Sequence, residues 1–501
     1  METVAPAGLR LLSVCRVAPA PALMPVDNCS NVKAKLSFLD VPWVATPPVQ
    51  EVFLYEKGGG AEYGGMVKRL KESLAASLAL YLPLAGKLAY VQETRDIVID
   101  CSDPGVAFFE AEAMAGCMDL SRLASDDDDD VPAMELASLV PEHDARVLPA
   151  PVMVVQATRL NAGLALGVSV HHAAVDGRAF DLFMDAWSSM SRGGASPVTN
   201  KPLSPPNYSR EAIAHPSSDE LAHEVLSKVA PNLPLANAME ENDYMSHSYR
   251  LRHRTFLLGA DDIRTLKQHI DGLVERRPSG EVMMANNKKP VSAFVALSAL
   301  SWAAFVRAKG LAAGEDTYLV FQVDLRARLR PPVGAGYIGN CVRGCIASAD
   351  AGELLGDMGF LRASRAIQAA VKEAVEAPLD RIGEWMERLI ALPAARQANV
   401  GGSPLFRVYQ TADFGFGMPD KVVPLSMAGS PETTTTTCYH GVGRSGHHVV
   451  QSLSMNDDHG GRIVLSGGKR DGEVRLSVSL DPVLMDAFKN NINNIPTRSR
   501  L

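Results

Sequence analysis

The chain has 501 residues, of which 47% are hydrophobic and 21% are charged, and its formal net charge is −8 at pH 7. These proportions are typical of a soluble globular protein of two or three domains, and they exclude a largely disordered chain. The negative net charge argues against a nucleic-acid-binding protein, because such a protein carries a basic binding domain.

The cysteines and the N-terminus predict a cytoplasmic protein. The seven cysteines are odd in number and scattered along the chain, unlike those of a disulfide framework. Cys341 and Cys345 could suggest a metal pair, but no second cysteine or histidine cluster lies nearby in the sequence, so we expect no metal. Arg10 and Arg16 interrupt the apolar N-terminus, so we expect neither a signal peptide nor a membrane-spanning helix.

Before residue 120 the hydrophobic pattern predicts strands around one long helix. The predicted elements are half-buried apolar runs at residues 36–43 and 52–56, a helix with its apolar stripe from Val67 to Leu78, and paired strands at residues 97–100 and 106–113. Pro83 follows the helix and is expected to end it.

Five consecutive aspartates, Asp126 to Asp130, follow these elements. Clustered carboxylates could hold a magnesium ion, but this run has no apolar period that would fix it on a packed helix. We therefore interpret the run as a solvated loop, since blocks of like charge usually stay unfolded.

The candidate chemistry lies between a predicted strand and a predicted helix. Residues 163–170 alternate as in a strand, and residues 180–190 carry the apolar stripe of a helix. Between them the segment HHAAVDG places His172 and Asp176 four residues apart. A side chain between two packed elements is positioned rigidly, as a catalytic base requires.

Residues 191–223 are rich in Gly, Pro, Ser and Asn and lose the hydrophobic period, so we predict a linker there. This divides the chain into an N-terminal domain at residues 1–190 and a C-terminal domain at residues 224–501. The elements predicted in the second half are a strand and helix at residues 254–270, a buried helix from the Ser292 cap to Gly310, strands at residues 317–324 and 474–480, and a helix from Pro482.

Residues 426–461 are predicted to form a loose surface insertion. They contain five threonines, Thr433 to Thr437, and the pair His447 and His448. A second His-His pair could suggest a site, but no helix or strand is predicted to hold it, which favours a surface loop.

His172 can act either structurally or as a base. A histidine at a strand end is more often structural, but the small residues Ala173 and Ala174 leave the space that a substrate would need. A Ser-His-Asp hydrolase would require G-x-S-x-G after a strand, and the sequence has no such segment. General-base catalysis is therefore favoured over a covalent intermediate.

These segments resemble a known family. HHAAVDG and the later DFGFG at residues 413–417 resemble HxxxD and DFGWG, the two signatures of the plant BAHD acyl-CoA-dependent acyltransferases. YLPLAGKL, VDLRARLRPP and YIGNC also stand where this family has similar segments, so the resemblance covers nearly the whole chain. YIGNC and LSFLDVPW resemble the branch of anthocyanin and phenolic glucoside malonyltransferases. Three positions depart from the family pattern: Phe416 replaces a tryptophan, Ala293 stands where the family usually has a Ser-Thr pair, and Ile338 replaces an aromatic residue.

The resemblance implies an α/β fold of two similar chloramphenicol-acetyltransferase-like domains, each a mixed β-sheet flanked by helices, with an active-site channel between them. It implies direct acyl transfer with His172 as general base and without a covalent acyl-enzyme. The other positions carried over from the family are Asp176 and Asp413 as catalytic residues, Ser292 and Ala293 as substrate-binding residues, and Arg326, Gly177, Gly415 and Gly417 as structural residues. The resemblance implies that Asp176 points to Arg326 and has an architectural role; Asp413 is either a second acid-base residue or part of a structural turn.

The expected co-substrate is an acyl-CoA, in particular malonyl-CoA, and no other cofactor is expected. The expected partners are this donor and a small-molecule acceptor, with no nucleic acid and no membrane, and the protein is expected to be a monomer. Arg178 is either a clamp for the malonyl carboxylate or a surface residue of the following helix. The CoA phosphates are expected on a basic cluster of Arg252, Arg254, Lys288 and Lys289.

Two alternatives stay open. The donor could be a hydroxycinnamoyl- or aliphatic-CoA, transferred to oxygen or nitrogen by an enzyme of the same family. The chain could also be a non-catalytic relative that acts as a binding protein, although the presence of both His172 and Asp176 favours an enzyme.

Overall fold

A computed structural model of the chain describes residues 8–23, 33–56, 62–123, 131–193, 206–236, 252–275, 290–392, 397–401, 447–451, 461–467 and 472–493. Several predicted features lie outside the described residues: the aspartate run, DFGFG with Asp413, Gly415 and Gly417, the basic residues Lys288 and Lys289, and the threonine run.

The strands in chain order are β1 (Leu9–Val17), β2 (Lys33–Lys35), β3 (Val49–Glu56), β4 (Lys87–Val91), β5 (Asp96–Asp100), β6 (Val106–Ala113), β7 (Val131–Pro132), β8 (Ala150–Pro151), β9 (Met153–Leu160), β10 (Gly163–Val170), β11 (Arg252–Leu258), β12 (Asp316–Asp324), β13 (Val342–Asp350), β14 (Gln397–Gly401), β15 (His447–Gln451), β16 (Gly461–Gly467) and β17 (Val474–Leu480).

The α-helices in chain order are α1 (Tyr63–Leu80), α2 (Leu120–Leu123), α3 (Ala133–Ala137), α4 (Gly177–Ser191), α5 (Ser218–Val229), α6 (Ala260–Glu275), α7 (Ala293–Lys309), α8 (Ala351–Leu355), α9 (Gly359–Glu376), α10 (Ile382–Ile390) and α11 (Pro482–Asn493). The long helix of the first half, the helix after HHAAVDG and the helix capped by Ser292 are thus confirmed. α5 begins inside the predicted linker.

The first sheet positions the HHAAVDG segment. Its strand order is β1-β6-β9-β10-β3-β15, and all neighbours are antiparallel except β6 and β9. β10 is buried along its whole length, because one face packs under α1 and α4 and the other lies against a second apolar cluster around Leu139. A Cβ at Gly167 would lie only 2.0 Å from the carbonyl oxygen of Leu139, so this approach requires glycine. β10 therefore holds its C-terminal end firmly.

The second sheet has the order β13-β12-β14-β16-β17-β11-β7. Its apolar side is covered by α7, whose residues Phe294 to Val306 are all buried. The Ser292 hydroxyl caps this helix by accepting the Val295 N–H at 3.2 Å, and Gly310 ends it with φ of 66°. A helix that is apolar on every side can be stable only when packed on all sides, as this one is.

The third sheet is small, with the order β2-β5-β4-β8. It shows that residues 97–100 and 106–113 are not paired with each other as predicted. β5 lies between β2 and β4, whereas β6 lies between β1 and β9 in the first sheet. Closeness in sequence favours hairpin pairing, but β6 instead pairs within the larger sheet and buries Val106 and Phe108 in the core.

The first two sheets each take a strand from the other half of the chain. β15 pairs with β3 in the first sheet, and β7 pairs with β11 in the second. The prediction that no strand holds His447 and His448 is therefore wrong, because residues 447–451 form a strand that pairs with β3. This pairing is made by backbone hydrogen bonds to a distant segment, so the local hydrophobic pattern does not reveal it. The domain boundaries at residues 190 and 223 stay predictions.

Candidate active site

His172 lies in the short turn between β10 and α4. The preceding His171 extends the strand by donating its N–H to the Val152 oxygen at 2.8 Å. Ala173, Ala174 and Val175 are buried, which anchors the turn in the core, while His172 itself is half-buried. The imidazole is thus held on a rigid segment and keeps partial access to solvent.

Asp176 is buried and is the N-cap of α4. Its Oδ1 accepts the Ala179 N–H at 2.9 Å, and the Arg326 guanidinium bonds both carboxylate oxygens at 2.9 Å. Oδ2 also accepts the Cys341 N–H at 2.9 Å. These contacts occupy the carboxylate with structural partners, as the resemblance to the family implied. Asp176 therefore holds the segment that carries His172.

The ionisation of Asp176 follows from these contacts. Burial acts to raise the pKa of its carboxyl, but the positive charge of Arg326 and the N–H groups of Cys341 and Ala179 outweigh burial and lower it below its usual value. Asp176 is therefore ionised throughout the neutral range.

Arg326 connects Asp176 with the YIGNC segment. It donates to the carbonyl oxygens of Tyr337 at 3.3 Å and Gly339 at 3.2 Å, and to the carboxylate of Asp324 at 3.2 Å. The bidentate pair with Asp176 thus draws the end of β12 and residues 337–341 toward the start of α4. This is how the second half of the chain reaches the turn that carries His172.

Asn340 contacts His172 directly. Its Oδ1 lies 3.1 Å from Nδ1 of His172, and its Nδ2 donates to the main-chain oxygen of His172 at 2.8 Å. Nδ2 also donates to Oδ1 of Asp40 at 3.0 Å, and the same oxygen accepts the Asn340 N–H at 2.8 Å. Residues from three distant parts of the chain therefore meet at the imidazole.

Asp40 is completely buried, and its carboxylate accepts hydrogen bonds from several partners. Its Oδ2 receives the Ser37 N–H at 2.9 Å, the Ser37 hydroxyl at 2.7 Å and Nε of Arg210 at 2.9 Å. Arg210 also donates to the main-chain oxygens of Ile338 and Ala174. Asp40 and Arg210 thus hold together the segments that carry His172 and Asn340.

Trp43 covers one face of the His172 ring. The two rings are stacked with centroids 4.0 Å apart and planes inclined by 11°. Trp385 of α10 lies beside Trp43 at 6.1 Å, and it packs so closely on β13 that a Cβ at Gly344 would lie 2.6 Å from its ring. An aromatic wall therefore flanks the candidate base.

Sequence reasoning missed Asp40, Trp43, Arg210 and Asn340 as site residues. Asp40 and Trp43 lie in LSFLDVPW and Asn340 lies in YIGNC, the segments that marked the resemblance, but no role was assigned to them. Asp40 could have been found from the sequence, because it is a carboxylate inside an apolar run. Such a residue is rarely buried without hydrogen-bonding partners, so its position predicts a polar network. Arg210 gave no signal of this kind.

Two neighbouring histidines do not compete as bases. Burial lowers the pKa of His171 to about 3 and that of His143 to about 4. His143 lies 2.9 Å from the Ser169 hydroxyl and 2.7 Å from the Pro151 oxygen, and Ser169 is fully buried. Both rings are neutral and structural near pH 7.

The thiols near the site are unreactive. Burial raises the pKa of Cys345 to about 12 and also raises that of Cys341. A thiol is nucleophilic only as a thiolate, so neither group can carry an acyl intermediate at neutral pH.

The other predicted residues lie as follows. Gly177 and Arg178 are the first two residues of α4, and Arg178 is half-buried. Ser292 and Ala293 form the start of α7, where the Ser292 hydroxyl caps the helix. Arg252 and Arg254 lie in β11, and Arg254 is buried. The substrate-binding roles of these residues stay predictions.

In the described ranges, no group of three or more His, Cys, Asp or Glu residues is placed to hold a metal ion. No helix in these ranges is long and apolar enough to cross a membrane.

Comparison with known proteins agrees with the architecture. A model of the Transferase family matches residues 20–437. Phenolic glucoside malonyltransferase 1 of Arabidopsis thaliana is 28% identical over 435 residues, covering 84% of this chain and 89% of that protein. The coumaroyl-CoA:anthocyanidin 3-O-glucoside-6''-O-coumaroyltransferase 2 of the same organism is 26% identical over 444 residues, covering 84% and 90%. The crystal structure of vinorine synthase matches with a TM-score of 0.67 at 18% identity, over 98% of each chain, and it confirms the predicted fold class.

Proposed function

The chain belongs to the BAHD acyltransferases of the Transferase family, and on that premise we propose that it transfers a malonyl group from malonyl-CoA to a hydroxyl of a phenolic glucoside. The observation that carries the catalytic part of the proposal is the half-buried imidazole of His172, held at Nδ1 by Asn340. The malonyl donor and the glucoside acceptor are supported by the name of the relative that is 28% identical.

In the proposed reaction, Nε2 of His172 takes the proton of the acceptor hydroxyl as its oxygen attacks the thioester carbonyl. The tetrahedral intermediate then collapses, the carbon–sulfur bond breaks, and the imidazolium returns the proton to the CoA thiolate. The products are the ester and free CoA, with no net change in protons. General-base assistance of this kind accelerates a reaction by about 10²–10⁴-fold.

Asp176 does not take part in proton transfer in this proposal. Its oxygens are held by Arg326 and by main-chain N–H groups, so its contribution is the position of the catalytic turn. Asp413 and the substrate-binding roles of Ser292 and Ala293 remain part of the proposal as the family resemblance implies them.

A donor-by-acceptor assay tests the proposal. We expect the purified chain to release free CoA from malonyl-CoA in the presence of a phenolic glucoside, with the malonyl ester detected by mass spectrometry. His172→Ala should lose this activity while retaining the wild-type circular dichroism and melting temperature. Activity with coumaroyl-CoA but none with malonyl-CoA would favour the second candidate, a hydroxycinnamoyltransferase, which the relative that is 26% identical supports.

The choice of control separates an enzyme from a binding relative. Without acceptor, the wild type should release CoA only slowly, because the proposed mechanism has no acyl-enzyme to hydrolyse. Absence of CoA release with every donor and acceptor, from a folded protein, would contradict the enzyme and favour the binding protein.

A further inference from the structure

We infer that Asn340, oriented by Asp40, fixes the tautomer of His172 in which Nδ1 carries the proton and Nε2 carries the lone pair. Asn340 is thus a positioning residue for the base, and its effect on rate rests on the proposed role of His172. The inference depends on the chemistry of three hydrogen bonds made by the side-chain amide of Asn340 and one made by its main-chain N–H.

The orientation of the Asn340 amide follows from its partners. Nδ2 lies 3.0 Å from Oδ1 of Asp40 and 2.8 Å from the main-chain oxygen of His172, and both of these oxygens can only accept when Asp40 is ionised. The reversed amide would place its oxygen against these two oxygens and lose both hydrogen bonds. The NH₂ group therefore faces Asp40, and the amide oxygen faces the imidazole.

The tautomer of His172 follows from the amide orientation. The amide oxygen has no proton to donate, so the 3.1 Å contact is a hydrogen bond only if Nδ1 of His172 carries the hydrogen. A neutral imidazole has a single N–H, so its lone pair then lies on Nε2. This is the nitrogen that must accept the proton of the substrate in the proposed reaction.

Asp40 cannot turn to accommodate another arrangement. It is fully buried, and both of its oxygens accept hydrogen bonds, from Asn340 on one side and from Ser37 and Arg210 on the other. The Asn340 N–H bonds the same oxygen as its side chain, which fixes the amide plane further. Asp40 therefore sets the tautomer through Asn340 without touching the imidazole.

This role differs from that of Asp176, which lies in the same motif as His172. Asp176 bonds Arg326, Cys341 and Ala179, so it supports the fold around the base. The network of Asp40 and Asn340 decides which ring nitrogen is basic. The two carboxylates thus serve separate purposes.

The direct test is nitrogen NMR of the imidazoles in protein labelled with ¹⁵N-histidine, at a pH where His172 is neutral. The chain has 12 histidines, and the His172 signals are identified by their loss in His172→Gln. We expect a protonated Nδ1 and an unprotonated Nε2 in the wild type. A wild-type His172 protonated at Nε2 would overturn the inference, and the only variant that this measurement needs is His172→Gln, for the assignment.

Asn340→Leu gives the second arm, because leucine has a similar volume and no acceptor. We expect a shift of the His172 signals toward the tautomer protonated at Nε2, and a fall in kcat of about 10²-fold or more with little change in KM, since loss of the base itself costs about 10²–10⁴-fold. The matched control is Asp324→Asn, which weakens a contact of Arg326 but none of Asn340. It should leave the tautomer unchanged.

The two proposals fail separately. If Nδ1 of His172 is protonated but the wild-type protein is inactive with malonyl-CoA, the tautomer inference stands and the donor assignment is wrong. If the wild-type protein is active with malonyl-CoA but His172 is protonated at Nε2, the proposed function stands and the tautomer inference is wrong. Asn340→Leu with wild-type kcat would likewise overturn the positioning role.

Discussion

The indole of Trp43 lies parallel to the imidazole of His172, with ring centroids 4.0 Å apart. The electron-rich face of an indole attracts a cation, so the stack would stabilise the imidazolium that forms in the proposed reaction. The indole also covers one face of the ring and restricts its rotation. A residue more than a hundred positions earlier in the chain thus contacts the candidate base.

Replacing Trp43 by leucine should therefore move the acid limb of the kcat/KM profile to lower pH, because the protonated form of the base loses its aromatic partner. Cation–π contacts contribute about 0.5–2 kcal/mol, which corresponds to a shift of about 0.4–1.5 pH units. The pH dependence of CoA release measures the shift.

Trp43→Phe keeps an aromatic face and should shift the limb less. Trp385→Leu removes a ring that lies beside Trp43 at 6.1 Å, and it should leave the limb in place. An unchanged profile for Trp43→Leu would show that the stack does not act on the protonated base.

Asp176→Ala should lower the stability of the protein strongly, because it leaves the buried Arg326 guanidinium without its bidentate partner and removes the cap of α4. Loss of one partner of a buried ion pair costs about 3–5 kcal/mol. Urea unfolding of the wild type and the variant measures the difference. Equal midpoints would contradict the structural role of Asp176.

A double variant with Arg326→Met should recover part of this loss, because it removes the unpaired charge as well. The lowered pKa of Asp176 means that its contribution is fully present above the carboxyl pKa of the unfolded chain, about 3.9, and is lost as pH falls through the still lower pKa of the folded state. The difference between wild type and Asp176→Ala should therefore be constant from pH 6 to pH 8.

Arg178→Ala should reduce malonyl transfer selectively if Arg178 bonds the free carboxylate of the donor. Such a charge-assisted hydrogen bond contributes about 1.5–3 kcal/mol, or about 10–150-fold in kcat/KM. Acetyl transfer, tested with acetyl-CoA, should change little because that donor has no carboxylate. A parallel loss with both donors would instead indicate damage to the start of α4.

Acidification from pH 7 to pH 5 should destabilise the protein through its buried neutral histidines. Burial, together with the charge of Arg475, lowers the pKa of His253 to about 4. The unfolded chain binds a proton near pH 6.5 that the folded chain does not, so stability falls as pH decreases from 6.5 to 4, by about 1.4 kcal/mol per pH unit for each such histidine.

His253→Asn should flatten this dependence, since asparagine can still bond Ser479, the 3.2 Å partner of the histidine, but does not titrate. Melting temperatures at pH 7 and pH 5 provide the measurement. If the variant and the wild type show the same pH sensitivity, the loss of stability at low pH would be due to other groups, such as His171.

Local sequence pattern predicted the elements that carry the site. The spacing of apolar residues placed α1, α4 and α7, and Ser292 and Gly310 marked the ends of α7 because capping depends on neighbours within a few residues. The hydrophobic pattern on either side of HHAAVDG likewise placed His172 between a strand and a helix, whereas the structure alone showed that Asp176 caps this helix. The family resemblance then supplied the α/β class and the partner Arg326.

Only the tertiary structure decided what surrounds the imidazole. Trp43 and Asn340 contact the ring from two distant segments, and Asp40 and Arg210 hold these segments in place. No periodicity within one segment relates these residues to His172. The same reason explains the two wrong predictions, the pairing within residues 97–113 and the loop at residues 447–451. Strand pairing is a contact between distant backbone segments, so the sequence of one strand does not identify its partner. The sequence alone identified His172 as the candidate base. Which nitrogen of its ring is basic depends, by our inference, on contacts with Asn340 and Asp40 that exist only once the chain has folded.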